Sequence, residues 1–224
     1  MNTKAPPEAR LPEVTLLIGS GCSFCPVVLD AFARLMKEDR IGRLEVINVT
    51  LHPQEAAKRG VRTVPWMAIG AYHLEGAHTY GELLKWVDSA VDPGGDAKYL
   101  QHLLETGRIE PVIEKAREQT ENRKALAELI ASPETPMNVR IGIGVVFEEL
   151  SHEGMLGDLV DELVELTRSG DLRLRADACH YLGLTRSNAA MPRLREILRH
   201  EEDPYVREIA LESLDELQAG LNAG

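Results

Sequence analysis

The chain has 224 residues and a formal net charge of −11, and 44% of it is hydrophobic but only 4% aromatic. That apolar content excludes a mainly disordered polymer, and the acidic balance excludes a protein that binds nucleic acid by neutralising phosphates. No apolar run reaches the roughly 20 residues that cross a bilayer. Length alone suggests one or two domains. Met1–Arg10 lacks the apolar core of a signal peptide, so a cytoplasmic protein is expected. The scarcity of aromatics points to cores of Leu, Ala, Ile and Val, as in helical repeats.

In chain order, Val14–Ile18 is a short β-type apolar run, followed by Gly-Ser-Gly-Cys-Ser-Phe-Cys-Pro26. A helix follows, with Val28, Phe32, Leu35 and Met36 on one face. Leu44–Val49 reads as a second strand. Pro53 to Arg59 reads as a short helix that starts on proline and stops at Gly60. Pro65–Ile69 is a third strand, Gly70-Ala-Tyr72 a tight turn and His73–Glu75 a fourth strand. Thr79-Tyr-Gly-Glu82 is a capping box that opens a helix carrying Leu83, Leu84, Trp86 and Val87. The order is β-α-β-α-β-β-α. It predicts an α/β domain with a four-stranded mixed sheet and helices on both faces.

Val91-Asp-Pro-Gly-Gly-Asp96 breaks the pattern and reads as a linker. Residues 1–91 carry 10 basic and 10 acidic side chains, whereas residues 92–224 carry 15 and 26, so the second part holds the whole net charge. The expected domains are 1–91 and 92–224. The second is all-α and repetitive. Asp171, Leu174, Arg175, Ala178 and Leu182 recur as Asp203, Val206, Arg207, Ala210 and Leu214, with a weaker copy around Val139, Arg140, Ile143 and Val146. The arginines at 140, 175 and 207 fall 35 and 32 residues apart. Second helices lie between them, at Leu156–Leu166 and Met191–Leu198. A period of 30-odd residues with two helices per unit predicts a stacked array. Residues 97–131 read as one further helical pair or a cap.

Three cysteines, two of them three apart, do not make a secreted disulfide framework. Cys22-Ser-Phe-Cys25 lies between a strand and a helix. A thiol at a helix N-terminus is favoured as the thiolate by unpaired N–H groups and the helix dipole. Cys22 is therefore the expected nucleophile, with Cys25, one turn on, the thiol that resolves a mixed disulfide. A zinc site is the structural alternative, but it wants four ligands. The sequence has no second C-x-x-C, and His52, His73 and His78 show no paired spacing. No metal is expected. Cys179 sits among Ala178 and Leu182 and reads as a small buried hydrophobe.

The element order, the C-x-x-C-Pro and Thr63-Val-Pro65 before the third strand resemble the thioredoxin superfamily over roughly residues 12–90. The closest flavour is the glutaredoxin-like and small thioredoxin-like oxidoreductases. The resemblance implies a cis Val64–Pro65 bond beside the cysteines. It also implies a substrate platform of Val64 and Pro65, with Ser23 and Phe24 between the cysteines as further contacts. Trp66 offers either an apolar rim to the substrate or core packing. Gly21 replaces the usual thioredoxin Trp, and the first strand lacks the buried acid of thioredoxins. Gly76-Ala-His-Thr79 departs from the Gly-Gly-x-Asp glutathione clamp, which counts against glutathione. The redox-active pair itself is then the only cofactor.

Residues 135–217 resemble HEAT-type repeats, which implies docking of a protein partner on an extended surface. Arg175 and Arg207 are expected to bond neighbouring carboxylates in a ladder. His152-Glu153 and His200-Glu201 resemble the iron-holding pairs of HEAT-like deoxyhypusine hydroxylase, but fall at expected helix ends. The function this predicts is protein disulfide oxidoreduction with partner docking on acidic repeats. A non-catalytic adaptor or assembly chaperone, or a redox sensor, is the alternative.

Overall fold

In a computed structural model, residues 11–92 and 94–222 are described. Pro93 of the expected linker and the Met1–Arg10 stretch lie outside them. The chain divides into two compact units, Met1–Lys98 and Tyr99–Gly224.

The first unit holds β1 (Glu13–Ile18), α1 (Cys25–Lys37), β2 (Arg43–Asn48), α2 (Pro53–Lys58), β3 (Trp66–Ile69), β4 (Tyr72–Glu75) and α3 (Tyr80–Ser89). Its sheet order is β2-β1-β3-β4. β1 pairs parallel with β2, and antiparallel with β3, which pairs antiparallel with β4. The β1–β2 connection is long enough to carry α1 across, as a parallel pair requires. β3 and β4 are joined by Gly70 and Ala71 alone, with Gly70 at φ 56°, a conformation that costs glycine little. Val14, Leu16 and Leu17 of β1 are buried, as are Met67 and Ile69 of β3 and Leu74 of β4. α1 presses Val28, Phe32 and Leu35 inward and packs against α3, whose Leu83 and Val87 are buried. The expected capping box is present, with Thr79 and Glu82 satisfying each other's backbone N–H. α2 buries none of its residues.

α4 (Gly95–Glu105) opens inside the stretch expected to be linker. The second unit continues with α5 (Ile109–Glu118), α6 (Thr120–Ala131), α7 (Met137–His152), α8 (Val160–Leu166), α9 (Leu172–Leu184), α10 (Met191–His200) and α11 (Pro204–Asn222). A 3₁₀ turn at Gly157–Leu159 leads into α8, so that helix is shorter than the sequence pattern suggested. The stretch expected to be one helical pair, 97–131, holds most of α4 and all of α5 and α6. Its breaks fall at Thr106–Arg108 and at Gln119, which is extended at φ −140° and ψ 132°. α9 packs against both α7 and α11, while α8 and α10 lie beside α9 and α11 respectively.

The carboxylate ladder expected of Arg175 and Arg207 is not formed, since Arg207 makes no ion pair among the described residues. Arg175 does reach both oxygens of Glu201, each at 3.1 Å, but also the carbonyl of Ser169. Arg140 donates only to carbonyls, those of Ile130, Ser132 and Thr135. The C-terminal carbonyls of the preceding helix have no partner within it, and a guanidinium is well shaped to serve several at once.

Candidate functional site

Cys22 and Cys25 form a disulfide with Cα atoms 5.5 Å apart. The two cysteines are unlike. Cys22 is half-buried, whereas Cys25 is 3% exposed. α1 starts at Cys25 rather than at Cys22, with Phe24 in the N-cap position and contributing no side-chain cap. The acceptor is instead Cys22 Sγ, which takes the backbone N–H of Cys25 at 3.1 Å. One of the helix's unpaired N–H groups is thus aimed at the sulfur. No charged residue occurs from Gly19 to Val27, so this N–H and the helix dipole are the local groups that favour a thiolate.

Cys22 Sγ also lies 3.6 Å from the carbonyl oxygen of Val64. In the disulfide this is a contact, because the sulfur carries no proton. In the reduced thiol the S–H can donate to that oxygen. The Val64–Pro65 bond is cis. Pro65 is buried and its carbonyl accepts from the Gly76 N–H at 2.9 Å, which ties it to the end of β4. Val64 is half-buried and Ser23 exposed, and Phe24 is 61% exposed. Val64 is therefore beside the cysteines, with Ser23 and Phe24 open between them. Trp66 is not on that surface. It is 4% exposed, and its indole stacks at a tilt on His73 with centroids 5.2 Å apart. Its position in β3 fits the core-packing alternative, since register with Leu17 of β1 draws the residue into the sheet.

Three supports of the site were not singled out from the sequence. A Cβ on Gly19 would lie 3.2 Å from a Val64 methyl, so glycine permits the close approach of the Val64 loop. The Ser20 N–H donates to Thr50 Oγ1 at 3.0 Å, and Asn48 Nδ2 donates to Ser20 Oγ at 3.2 Å. These bonds latch the cysteine loop to the end of β2. Only Gly19, three residues before Cys22, is a visible sequence signal. Asn48 and Thr50 lie 28 and 30 residues from Ser20, and no spacing rule connects them. Val27, 59% exposed one turn along α1, extends the open apolar surface of Phe24.

Elsewhere, Cys179 is fully buried and burial pushes its thiol up to about 12, the state of an inert core cysteine. His152 and His200 close α7 and α10. Among the described residues, no three His, Cys, Asp or Glu side chains group as metal ligands. No helix of the described residues is long and apolar enough to cross a membrane.

A sheet ordered β2-β1-β3-β4, a vicinal cysteine pair at the start of α1 and an X-Pro bond beside it define a thioredoxin-type module, and stacked helices follow it. The comparison with protein families agrees on both. Residues 13–88 match the thioredoxin domain and residues 109–215 match HEAT repeats. The chain is a thioredoxin-like domain fused to C-terminal HEAT repeats, modules that commonly hold other proteins. A search of curated proteins returns no match.

Proposed function

We propose that the chain is a cytoplasmic thiol–disulfide oxidoreductase acting through Cys22 and Cys25, with its HEAT repeats docking a protein partner. The observation that carries this reading is the inequality of the pair. Cys22 is the accessible sulfur and already accepts a helix N–H, while Cys25 is held beneath it at 3% exposure. In the reduced protein the Cys22 thiolate attacks one sulfur of a substrate disulfide, and the other substrate sulfur leaves as a thiolate. The Cys25 thiol loses its proton to water and attacks Cys22 Sγ, expelling the second substrate thiolate. The Cys22–Cys25 bond has then formed, and two electrons have passed to the substrate. An external dithiol or flavin-dependent reductase returns them, so the pair needs no further cofactor. Val64 and Pro65 supply the backbone against which the substrate lies, with Ser23 and Phe24 beside it. Residues 99–224, with 14 basic and 24 acidic side chains, supply a surface that favours a partner of opposite charge.

The test is insulin reduction with a chemical reductant. Cys22→Ser is expected to abolish the protein's contribution, and full activity in that variant would remove the enzymatic reading. Cys25→Ser is expected to accumulate mixed disulfides through Cys22. Their capture by the intact chain should weaken at about 0.5 M salt, where exposed charges are screened within a few ångströms, while insulin reduction should not.

A further inference from the structure

α7 carries two kinds of apolar residue. Val139, Ile143, Val146, Phe147 and Leu150 are buried in the repeat unit. Met137, Ile141 and Val145 recur every fourth residue on another face and are 50%, 62% and 42% exposed. Residues four apart stand one above another on a helix, so these three form a continuous stripe about 12 Å long. Two turns beyond Ile141 on the same face stands Glu148, and one turn further His152.

α11, on the far side of α9, presents a different stripe. Glu208, Glu212 and Glu216 are exposed at the same spacing, below a Tyr205 that is 52% exposed. The side chains of the three make no ion pair or hydrogen bond among the described residues, and Glu148 makes no ion pair there either. Some acidic side chains of this unit are paired among the described residues, as in Glu153 with Arg117, Asp158 with Arg123 and Glu201 with Arg175, and others, such as Asp161 and Asp215, are not, so it is the alignment of the three glutamates on one face that sets them apart. Both stripes run towards one cleft of about 440 Å³, which Glu148 and His152 of α7, His180 of α9 and Glu216 of α11 help to line. The face also holds Arg173, whose guanidinium touches the Met137 sulfur at 3.6 Å, and Asp177 on α9, with Arg186 at the cleft. Its charge is five carboxylates against two guanidiniums and two histidines.

We propose that the face formed by α7, α9 and α11 docks a basic amphipathic helix of a partner protein. The partner's apolar side chains lie along Met137, Ile141 and Val145, and its Lys or Arg side chains reach Glu208, Glu212 and Glu216. One apolar wall and one acidic wall match that class of ligand, because a helix presents its apolar and charged side chains on separate faces. The same charge disfavours the other occupants. A second copy brings its own net −10 over residues 99–224, and nucleic acids and anionic membranes are repelled. The inference rests on the docking part of the proposed function and is independent of the redox part.

The probe is a fluorescein-labelled 18-residue synthetic helix, with leucines on one face and lysines on its flank, titrated with the full chain and followed by anisotropy. The controls are a scrambled peptide of the same composition and a counterpart with glutamate for lysine. The amphipathic basic peptide is expected to bind and both controls to fail. Ile141→Ser with Val145→Ser should weaken binding about tenfold or more through lost apolar contact. Glu212→Lys with Glu216→Lys should weaken it at least as much, and both variants should keep the wild-type far-UV spectrum and insulin reduction. Equal binding of the scrambled peptide, an unchanged Kd in either double variant, or a wild-type dimer that Ile141→Ser dissociates would each overturn the proposal. If the peptide fails while disulfide capture stays salt-sensitive, this surface is refuted and the docking reading stands.

Discussion

Before residue 99, among the described residues, Ser89 is the one buried side chain outside the apolar and aromatic types, and the buried Tyr72 hydroxyl donates to its carbonyl at 3.2 Å, whereas Asn122, Arg123, Thr135, Ser151, Thr167, Thr185 and Ser213 are buried in the repeat unit. Every one of those seven donates to a backbone carbonyl. Six of the acceptors lie in the last turn of a helix: Lys115 and Ala116 of α5, Leu129 of α6, Val164 of α8, and Leu182 and Leu184 of α9. The contrast follows from the two architectures. Strands of a sheet satisfy one another's backbone groups sideways. Stacked helices leave carbonyls without partners at each end, inside the stack where water does not reach, and side chains must supply the donors.

The cysteines repeat the contrast. Cys25 and Cys179 are both buried, but Cys25 has a sulfur partner one turn away and Cys179 is a free thiol with no second cysteine beside it. Burial by itself makes a thiol inert, and an accessible neighbour gives it chemistry.

The largest effect expected from this comparison is in alkylation of the reduced chain near neutral pH. Even an unperturbed thiol, at about 8.5, carries about a thousandfold more thiolate than Cys179 does. Peptide mapping after a timed iodoacetamide pulse should therefore find Cys22 modified much faster than Cys179. Comparable rates would erase the distinction between the two units.

A smaller effect tests the donors of the repeat unit. Arg123 is 8% exposed, donates to the Ala116 carbonyl and pairs with Asp158. Arg123→Met leaves a buried carbonyl and a partly buried carboxylate without their cation, at a cost of about 2–3 kcal/mol. Urea titration of the full chain should register that loss. Arg34→Met in the first unit, which breaks an exposed pair with Glu38, should leave the midpoint unchanged.

The smallest effect is a pH dependence. Burial works to raise the Glu201 carboxyl, but hydrogen bonds from Arg175 and the Asp203 N–H outweigh it and hold the group below the usual carboxylate range. A carboxyl lowered on folding contributes stability that is complete above its unfolded value and lost as pH falls through the folded one. The melting-temperature difference between wild type and Arg175→Met should be widest at about pH 6–7 and close below about pH 4. A difference that stays constant over that range would mean that Arg175 acts through the Ser169 carbonyl alone.

The sequence by itself determined the order β-α-β-α-β-β-α, the helix opened by Thr79 and Glu82, the cysteine pair between β1 and α1, and the repeat marked by Arg140 and Arg175. Each of these depends on residues close together in the chain, where spacing translates directly into geometry. Tertiary structure decided the rest. Whether Trp66 meets substrate or core depends on β1 lying beside β3. The latch from Ser20 to Asn48 and Thr50 exists because β2 runs parallel to β1. The bonds of Arg140 to carbonyls depend on which helix end lies in front of it. α7 is the plainest case. It is apolar on almost every side, so periodicity cannot distinguish the Val139–Ile143–Val146 face from the Met137–Ile141–Val145 face. Its neighbours cover the first and leave the second open, because a helix in a stack has only as many buried faces as it has neighbours.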